Sequence, residues 1–173
     1  MGNVSQMIEL PLTELRAGLM ASLGVPRWVD EVVRVAPFES VADLLQVARE
    51  AATPLSAGEI DEAIAHHPRI GEKPVGDGAA QALSRNEQAG LGSDEEDLVA
   101  AIAAGNVTYE ERFGRVFIIR AAGRSRAEIL AELKRRLELP NSSELEIVGE
   151  QLREIALRRI ERLWAAPGGE NPS

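Results

Sequence analysis

The sequence contains no cysteine, few aromatic residues and no long apolar run. Without cysteine, disulfides and thiolate chemistry are excluded, which fits a reducing cytoplasm, the expected location. Aromatic side chains make up 3% of the residues, too few to build platforms that stack nucleic-acid bases. Charges interrupt the apolar runs well before the length of a membrane span, and no signal-peptide pattern opens the chain, so no membrane contact is expected.

The net charge of −9 limits the partners further. An acidic surface repels phosphate backbones, so nucleic acid is not an expected partner. Neither the GxGxxG nor the GxxxxGK[ST] pattern occurs, so the sequence gives no support for a nucleotide cofactor. With 45% apolar residues in a chain of 173, the composition predicts one globular domain, here residues 1–166, followed by a mobile tail at 167–173.

Apolar periodicity and capping residues predict an all-α fold of about eight to nine helices with no sheet. Thr13 is expected to cap the first helix, and Pro26 suits the first turn of the second. Gly105 is expected to end one helix, with a further helical turn or two after it. The run Val116–Ile119 is strand-like, but it is too short to build a sheet alone. Serines expected to begin helices are Ser40, Ser56, Ser84, Ser93, Ser125 and Ser143.

Both histidines of the chain, His66 and His67, lie side by side before Pro68. A residue that precedes proline is pushed away from helical angles, so the helix should end close to His67. One interpretation is a histidine that only caps the helix, where the helix dipole favours its protonated form. A second is a proton donor, a common role for a histidine near neutral pH. A metal site is weaker, because adjacent histidines on a helix diverge and no further His or Cys is available.

A second polar stretch, Ser84-Arg85-Asn86-Glu87-Gln88, follows a glycine-rich loop at residues 71–80. Ser84 and Glu87 have the spacing of a helix-capping box, and local grounds favour that structural interpretation. However, Ser84, Glu87 and Gln88 share one helical face, and a helix N-terminus offers free N–H groups to an anion. The same atoms can therefore cap the helix and bind a ligand.

These stretches resemble the OHCU decarboxylase family, whose substrate is 2-oxo-4-hydroxy-4-carboxy-5-ureidoimidazoline. The resemblance covers nearly the whole chain, and the combination of His-Pro with Ser-x-x-Glu-Gln is fairly specific. The matching stretches are residues 67–71, 84–90, 106–109, 113–119, 128–130, 136–137, 144–145 and the last helix through Arg159, with Trp28 and residues 37–40 upstream.

The resemblance implies a compact all-helical decarboxylase of urate breakdown that needs no cofactor and no metal. It implies His67 and Glu87 as the catalytic pair. The other positions implied at the substrate site are Pro68, Ser84, Arg85, Gln88, Ile119, Arg120 and Arg159. Arg158, directly beside Arg159, makes the register of the last position ambiguous. The implied partner is a small anionic substrate, and a homodimer is compatible with the sequence.

Two other functions stay open on the sequence alone. One is a non-catalytic helical interaction module, in which His67 only caps its helix. The other is a metal-dependent hydrolase of the amidohydrolase type that uses His66 and His67. A pocket shared by His67 and Glu87 would separate the decarboxylase from the module, and activity that survives chelation would remove the hydrolase.

Overall fold

The computed structural model describes residues 10–65 and 96–164, and within these ranges the regular elements are α-helices, with no β-strand. The predicted all-α class is confirmed. The predicted tail at 167–173 lies outside the described residues. Seven helices occur in the described ranges: α1 (Leu12–Ser22), α2 (Pro26–Val35), α3 (Val41–Ala51), α4 (Ala57–Ile64), α5 (Glu96–Phe113), α6 (Arg126–Leu137) and α7 (Asn141–Trp164).

Serine side chains begin three of the helices as predicted. Ser40, Ser56 and Ser125 each accept a hydrogen bond from the backbone N–H three residues later. At Ser56 the capping box is complete, because the Glu59 carboxylate also accepts the Ser56 N–H at 3.0 Å. These bonds satisfy backbone donors that a helix terminus would otherwise leave unpaired.

Two predicted helix starts are wrong by one or two residues. Helix α1 begins at Leu12, before Thr13, and the preceding Pro11 provides no side-chain cap. Helix α7 begins at Asn141, two residues before Ser143, because the Pro140 carbonyl already accepts the Glu144 N–H at 3.0 Å. In both cases a proline stands directly before the helix, where its fixed φ can set the direction of the chain without a side-chain cap.

Gly105 does not end a helix, which corrects the prediction from sequence. Helix α5 runs unbroken through it from Glu96 to Phe113. A Cβ atom placed on Gly105 would lie 2.4 Å from Cδ2 of Leu133, a buried residue of α6. The glycine therefore allows α5 and α6 to approach each other closely, and the helix continues because nothing local interrupts it.

Gly105→Ala should destabilise the protein by about 1–3 kcal/mol, although alanine is the better helix former, because the added methyl group overpacks against Leu133. Gly58→Ala in α4 is the matched control, since a Cβ there meets nothing within 4 Å. That control should leave stability unchanged or raise it by up to about 1 kcal/mol. Urea unfolding of both variants measures the difference. A Gly105→Ala protein as stable as Gly58→Ala would contradict the close approach of α5 and α6.

The described apolar side chains form two cores. The first lies among α1, α2, α3, α4 and α7, and it includes Trp28, whose indole N–H donates to the Ala48 carbonyl at 2.8 Å. The second lies between α5 and α6 and includes Tyr109, Ile129 and Leu133. None of the helices in the described ranges is long and apolar enough to cross a membrane.

The strand-like run at 116–119 is extended but pairs with no sheet in the described residues. Its side chains alternate between the two cores. Val116 and Ile118 pack on the first core, whereas Phe117 and Ile119 belong to the second. An extended chain points successive side chains to opposite sides, so the strand-like pattern here reflects a segment buried between two helical layers.

Candidate functional site

Most of the predicted site residues lie outside the described ranges. The predicted catalytic pair and four of the predicted binding residues fall within residues 66–95, and so does His66. The expected meeting of the pair in one pocket therefore stays a prediction. The residues concerned are His67, Pro68, Ser84, Arg85, Glu87 and Gln88.

Helix α4 leads directly into the histidine stretch and is firmly held. Its buried residues Ile60 and Ala63 belong to the first core, and Ile60 packs close to Gly149 of α7. Its first turn is tied to α2, because Arg27 Nε donates to Glu59 Oε2 at 2.5 Å. This bond lowers the pKa of Glu59, so the pair is charged at neutral pH. Core packing and the bond to Arg27 therefore hold α4 in place up to the residue that precedes the histidine pair.

Arg120 lies against α7 through both its backbone and its side chain. Its backbone N–H donates to Gln151 Oε1 at 2.9 Å. Its guanidinium donates to the Ala122 carbonyl at 3.2 Å and lies 3.3 Å from Glu154 Oε2. Gly123, with φ of +80°, closes this turn in a conformation that suits glycine. The backbone and the side chain of Arg120 thus tie this segment to α7.

Arg159 is buried in the interior, with only 1% of its surface exposed. Its Nη1 lies 3.4 Å from the Ala21 carbonyl near the end of α1, and it makes further interactions as well. A buried guanidinium is costly unless charged or polar groups surround it, so such a residue is a candidate for holding an anion.

Arg158, the residue before Arg159, lies at the protein surface. It is exposed and lines an open cavity of about 410 Å³ together with the Arg120 side chain. The two adjacent arginines thus face different surroundings, Arg158 the solvent-open cavity and Arg159 the interior. The other residues that line the cavity are Leu45, Arg49, Glu154, Leu157 and Glu161.

A buried polar network below the 116–120 segment was not predicted from sequence. Glu144 Oε1 accepts hydrogen bonds from the Tyr109 hydroxyl at 2.6 Å and from Arg136 Nε at 2.8 Å. Arg136 Nη1 in turn donates to the Ile118 carbonyl at 2.7 Å, and its guanidinium lies over the Phe117 ring. Burial, together with the Glu144 carboxylate, raises the pKa of Tyr109, so its hydroxyl stays protonated and donates.

Two sequence features point to this network. Arg136 and Glu144 both lie in stretches of the sequence that match the family, and both fall on the apolar faces of their helices. Charged side chains at such positions are rarely buried unless they are paired. Within the described ranges, no group of three or more His, Cys, Asp or Glu side chains could hold a metal ion. Both histidines lie outside those ranges, so this observation does not test the metal alternative.

Comparison with known proteins gives one consistent result. The family model for OHCU decarboxylase matches residues 9–161. The Arabidopsis thaliana uric acid degradation bifunctional protein TTL is 34% identical over 108 residues, 60% of this chain and 33% of that protein. The Mus musculus 2-oxo-4-hydroxy-4-carboxy-5-ureidoimidazoline decarboxylase is 33% identical over 102 residues, 58% of this chain and 57% of that protein. Both matches thus span less than two thirds of those relatives.

A solved structure extends the similarity to the fold. A crystal structure of OHCU decarboxylase in the presence of (S)-allantoin superposes with a TM-score of 0.74 at 26% identity. The match covers 86% of this chain and 98% of that one.

Proposed function

Because this chain belongs to the OHCU decarboxylase family, we propose that it converts 2-oxo-4-hydroxy-4-carboxy-5-ureidoimidazoline (OHCU) to (S)-allantoin and carbon dioxide in urate degradation. The observation that carries the proposal is the extent of the family match. It runs from residue 9 to residue 161 without leaving out either of the stretches that bear candidate chemistry. The described helices and the stretches that contain His67 and Glu87 therefore fall within one family match.

The chemistry needs one proton and no added electron sink. Loss of carbon dioxide breaks a carbon–carbon bond and leaves an electron pair on the ring carbon. The adjacent C=N bond of the substrate can accept that pair, and its nitrogen then takes up a proton. The hydroxyl group gives up its proton and becomes the ring carbonyl, while the neighbouring carbon, which bears the ureido group, gains a proton on one face. The protein therefore has to orient the substrate and deliver that proton to one face of the ring. In this proposal His67 supplies the proton, and its position on one side of the ring makes the product the (S) enantiomer.

Glu87 is proposed as the catalytic carboxylate. It would accept a hydrogen bond from the substrate hydroxyl or ring, and its charge would disfavour the bound carboxylate that is about to leave. Ser84 and Gln88 would hold the ureido and ring carbonyl groups. Pro68 and Arg85, which directly follow His67 and Ser84 in the sequence, would complete the contacts to the substrate.

Arg159 is proposed to neutralise the substrate anion, and its surroundings support this role. Its guanidinium is held inside the protein, where an ionic hydrogen bond is stronger than at a solvated surface. A protein with a net charge of −9 needs such a local cation to attract a carboxylate. The exposed Arg158 is less suited, because water screens its charge.

The backbone near Ile119 and Arg120 is proposed as the remaining substrate contact. Ile119 has its side chain buried in the second core, which leaves its peptide groups as the parts that can reach a ligand. The Arg120 side chain is occupied by Glu154 and the Ala122 carbonyl.

The decisive experiment generates OHCU in situ from urate and follows its decay with and without the protein. The wild type should accelerate the decay and yield optically pure (S)-allantoin, detected by circular dichroism. His67→Asn is the inactive comparison, with a loss of roughly a hundredfold or more if His67 donates the proton. Decay at the spontaneous rate, or racemic allantoin, would sink the proposal in favour of the non-catalytic module.

The same assay decides the metal alternative. Protein treated exhaustively with a chelator should keep its full rate, since the substrate accepts the electrons itself. Loss of the rate on chelation, restored by zinc, would favour a hydrolase that uses His66 and His67.

A further inference from the structure

Side chains of two helices hold the irregular segment around Ile119 at both ends. Arg136 of α6 donates to the Ile118 carbonyl at 2.7 Å, and Gln151 of α7 accepts the Arg120 N–H at 2.9 Å. Backbone groups outside helices and sheets need such partners when they are shielded from water. In this segment two side chains, which we call the anchors, therefore bond backbone groups that a neighbouring strand would bond in a sheet.

Loss of one anchor would disturb the fold much more than loss of the other. Arg136 is fully buried within the ionic network, so its loss would disturb three helices. Gln151 is only partly buried, and the Arg120 N–H is the one hydrogen-bond partner that the described residues give it. Gln151 can therefore be changed with little effect on the cores, although it fixes a peptide group of the proposed substrate site.

We propose that Gln151 is a positioning residue for the decarboxylation, an inference that rests on the proposed function. By accepting the Arg120 N–H, it sets the orientation of the Ile119–Arg120 peptide and of the turn that follows. A substrate bound against this backbone is sensitive to its placement, because a displacement of about 1 Å at a reacting centre can cost two orders of magnitude in rate. Gln151 acts through Arg120 and does not itself touch the reacting atoms.

The test compares Gln151→Met, which keeps the length of the side chain but removes the acceptor, with Gln151→Glu, which keeps an acceptor oxygen. Gln151→Met should lower kcat/KM for OHCU about tenfold, the size expected for one lost hydrogen bond, with little change in melting temperature. Hydrogen exchange should show a faster-exchanging Arg120 amide in Gln151→Met. Gln151→Glu should restore the protection of this amide and most of the rate.

Gln46→Met is the matched control, because Gln46 is an exposed glutamine of α3 whose one hydrogen-bond partner among the described residues is Glu50, one turn further along the same helix. It should change neither the rate nor the exchange of Arg120. If Gln151→Met lowers the melting temperature, Gln151→Ala removes the same acceptor without adding an apolar end and replaces it in the comparison.

The outcomes separate the inference from the proposed function. An unchanged Arg120 amide in Gln151→Met would overturn the anchor. A faster-exchanging amide with an unchanged kcat/KM would overturn the positioning role. A wild-type protein without decarboxylase activity would defeat the proposed function and the positioning role together, whereas the exchange data would still decide whether Gln151 holds Arg120.

Discussion

Glu87→Gln should reduce OHCU turnover by roughly a hundredfold or more while the protein stays folded. Glutamine also fits the third position of a capping box, so a residue that serves only its helix would tolerate the change. A residue that supplies a negative charge or a proton acceptor to the reaction would not. The measurement is the decay rate of freshly made OHCU together with the melting temperature of the variant.

Glu128→Gln is the matched control for this change. Glu128 stands three residues after Ser125, whose hydroxyl accepts its backbone N–H at 3.1 Å, and its side chain is exposed on α6. The control should keep nearly full turnover and a similar melting temperature. Near-normal rates for Glu87→Gln would defeat its catalytic assignment. A Glu87→Gln protein that melts far below the control would assign the loss of activity to a loss of fold.

The helix starts that the sequence predicted well are those set by local chemistry. Ser40, Ser56 and Ser125 cap their helices through bonds that span only three residues, so the short pattern contains all the information needed. Gly105 was misjudged because its role depends on Leu133, 28 residues further along the chain. A local pattern cannot show that a glycine permits close packing between helices.

The residues of the candidate site also divide into those that the sequence indicates and those whose role depends on the fold. Arg159 could be proposed only through the family resemblance, because a charge near a helix end is by default a solvated one, and its burial appears only in the fold. Gln151 gave no sequence signal, since its partner is a backbone group 31 residues away. The residues that the sequence singled out most clearly, His67 and Glu87, are the ones whose roles now depend on kinetics.

The largest effect on stability is expected at Glu144, whose carboxylate pairs with Arg136 where both side chains are fully buried. Glu144→Leu removes the carboxylate that is paired with this guanidinium and leaves the Tyr109 hydroxyl without its acceptor. Breaking a buried pair by removing one partner costs about 3–5 kcal/mol, chiefly because the remaining charge is buried alone. Urea unfolding should show this loss.

A surface pair provides the contrast. Arg16 and Asp30 lie 2.7 Å apart with about half of each side chain exposed, so Asp30→Asn should cost less than about 1 kcal/mol. The triple variant Tyr109→Phe, Arg136→Met, Glu144→Leu should recover most of the stability lost in Glu144→Leu, because it leaves no unpaired buried charge in this network. Recovery should be incomplete, since the Ile118 carbonyl then lacks its donor. A triple variant less stable than Glu144→Leu alone would mean that the network stabilises the fold through its hydrogen bonds rather than costing it through desolvation.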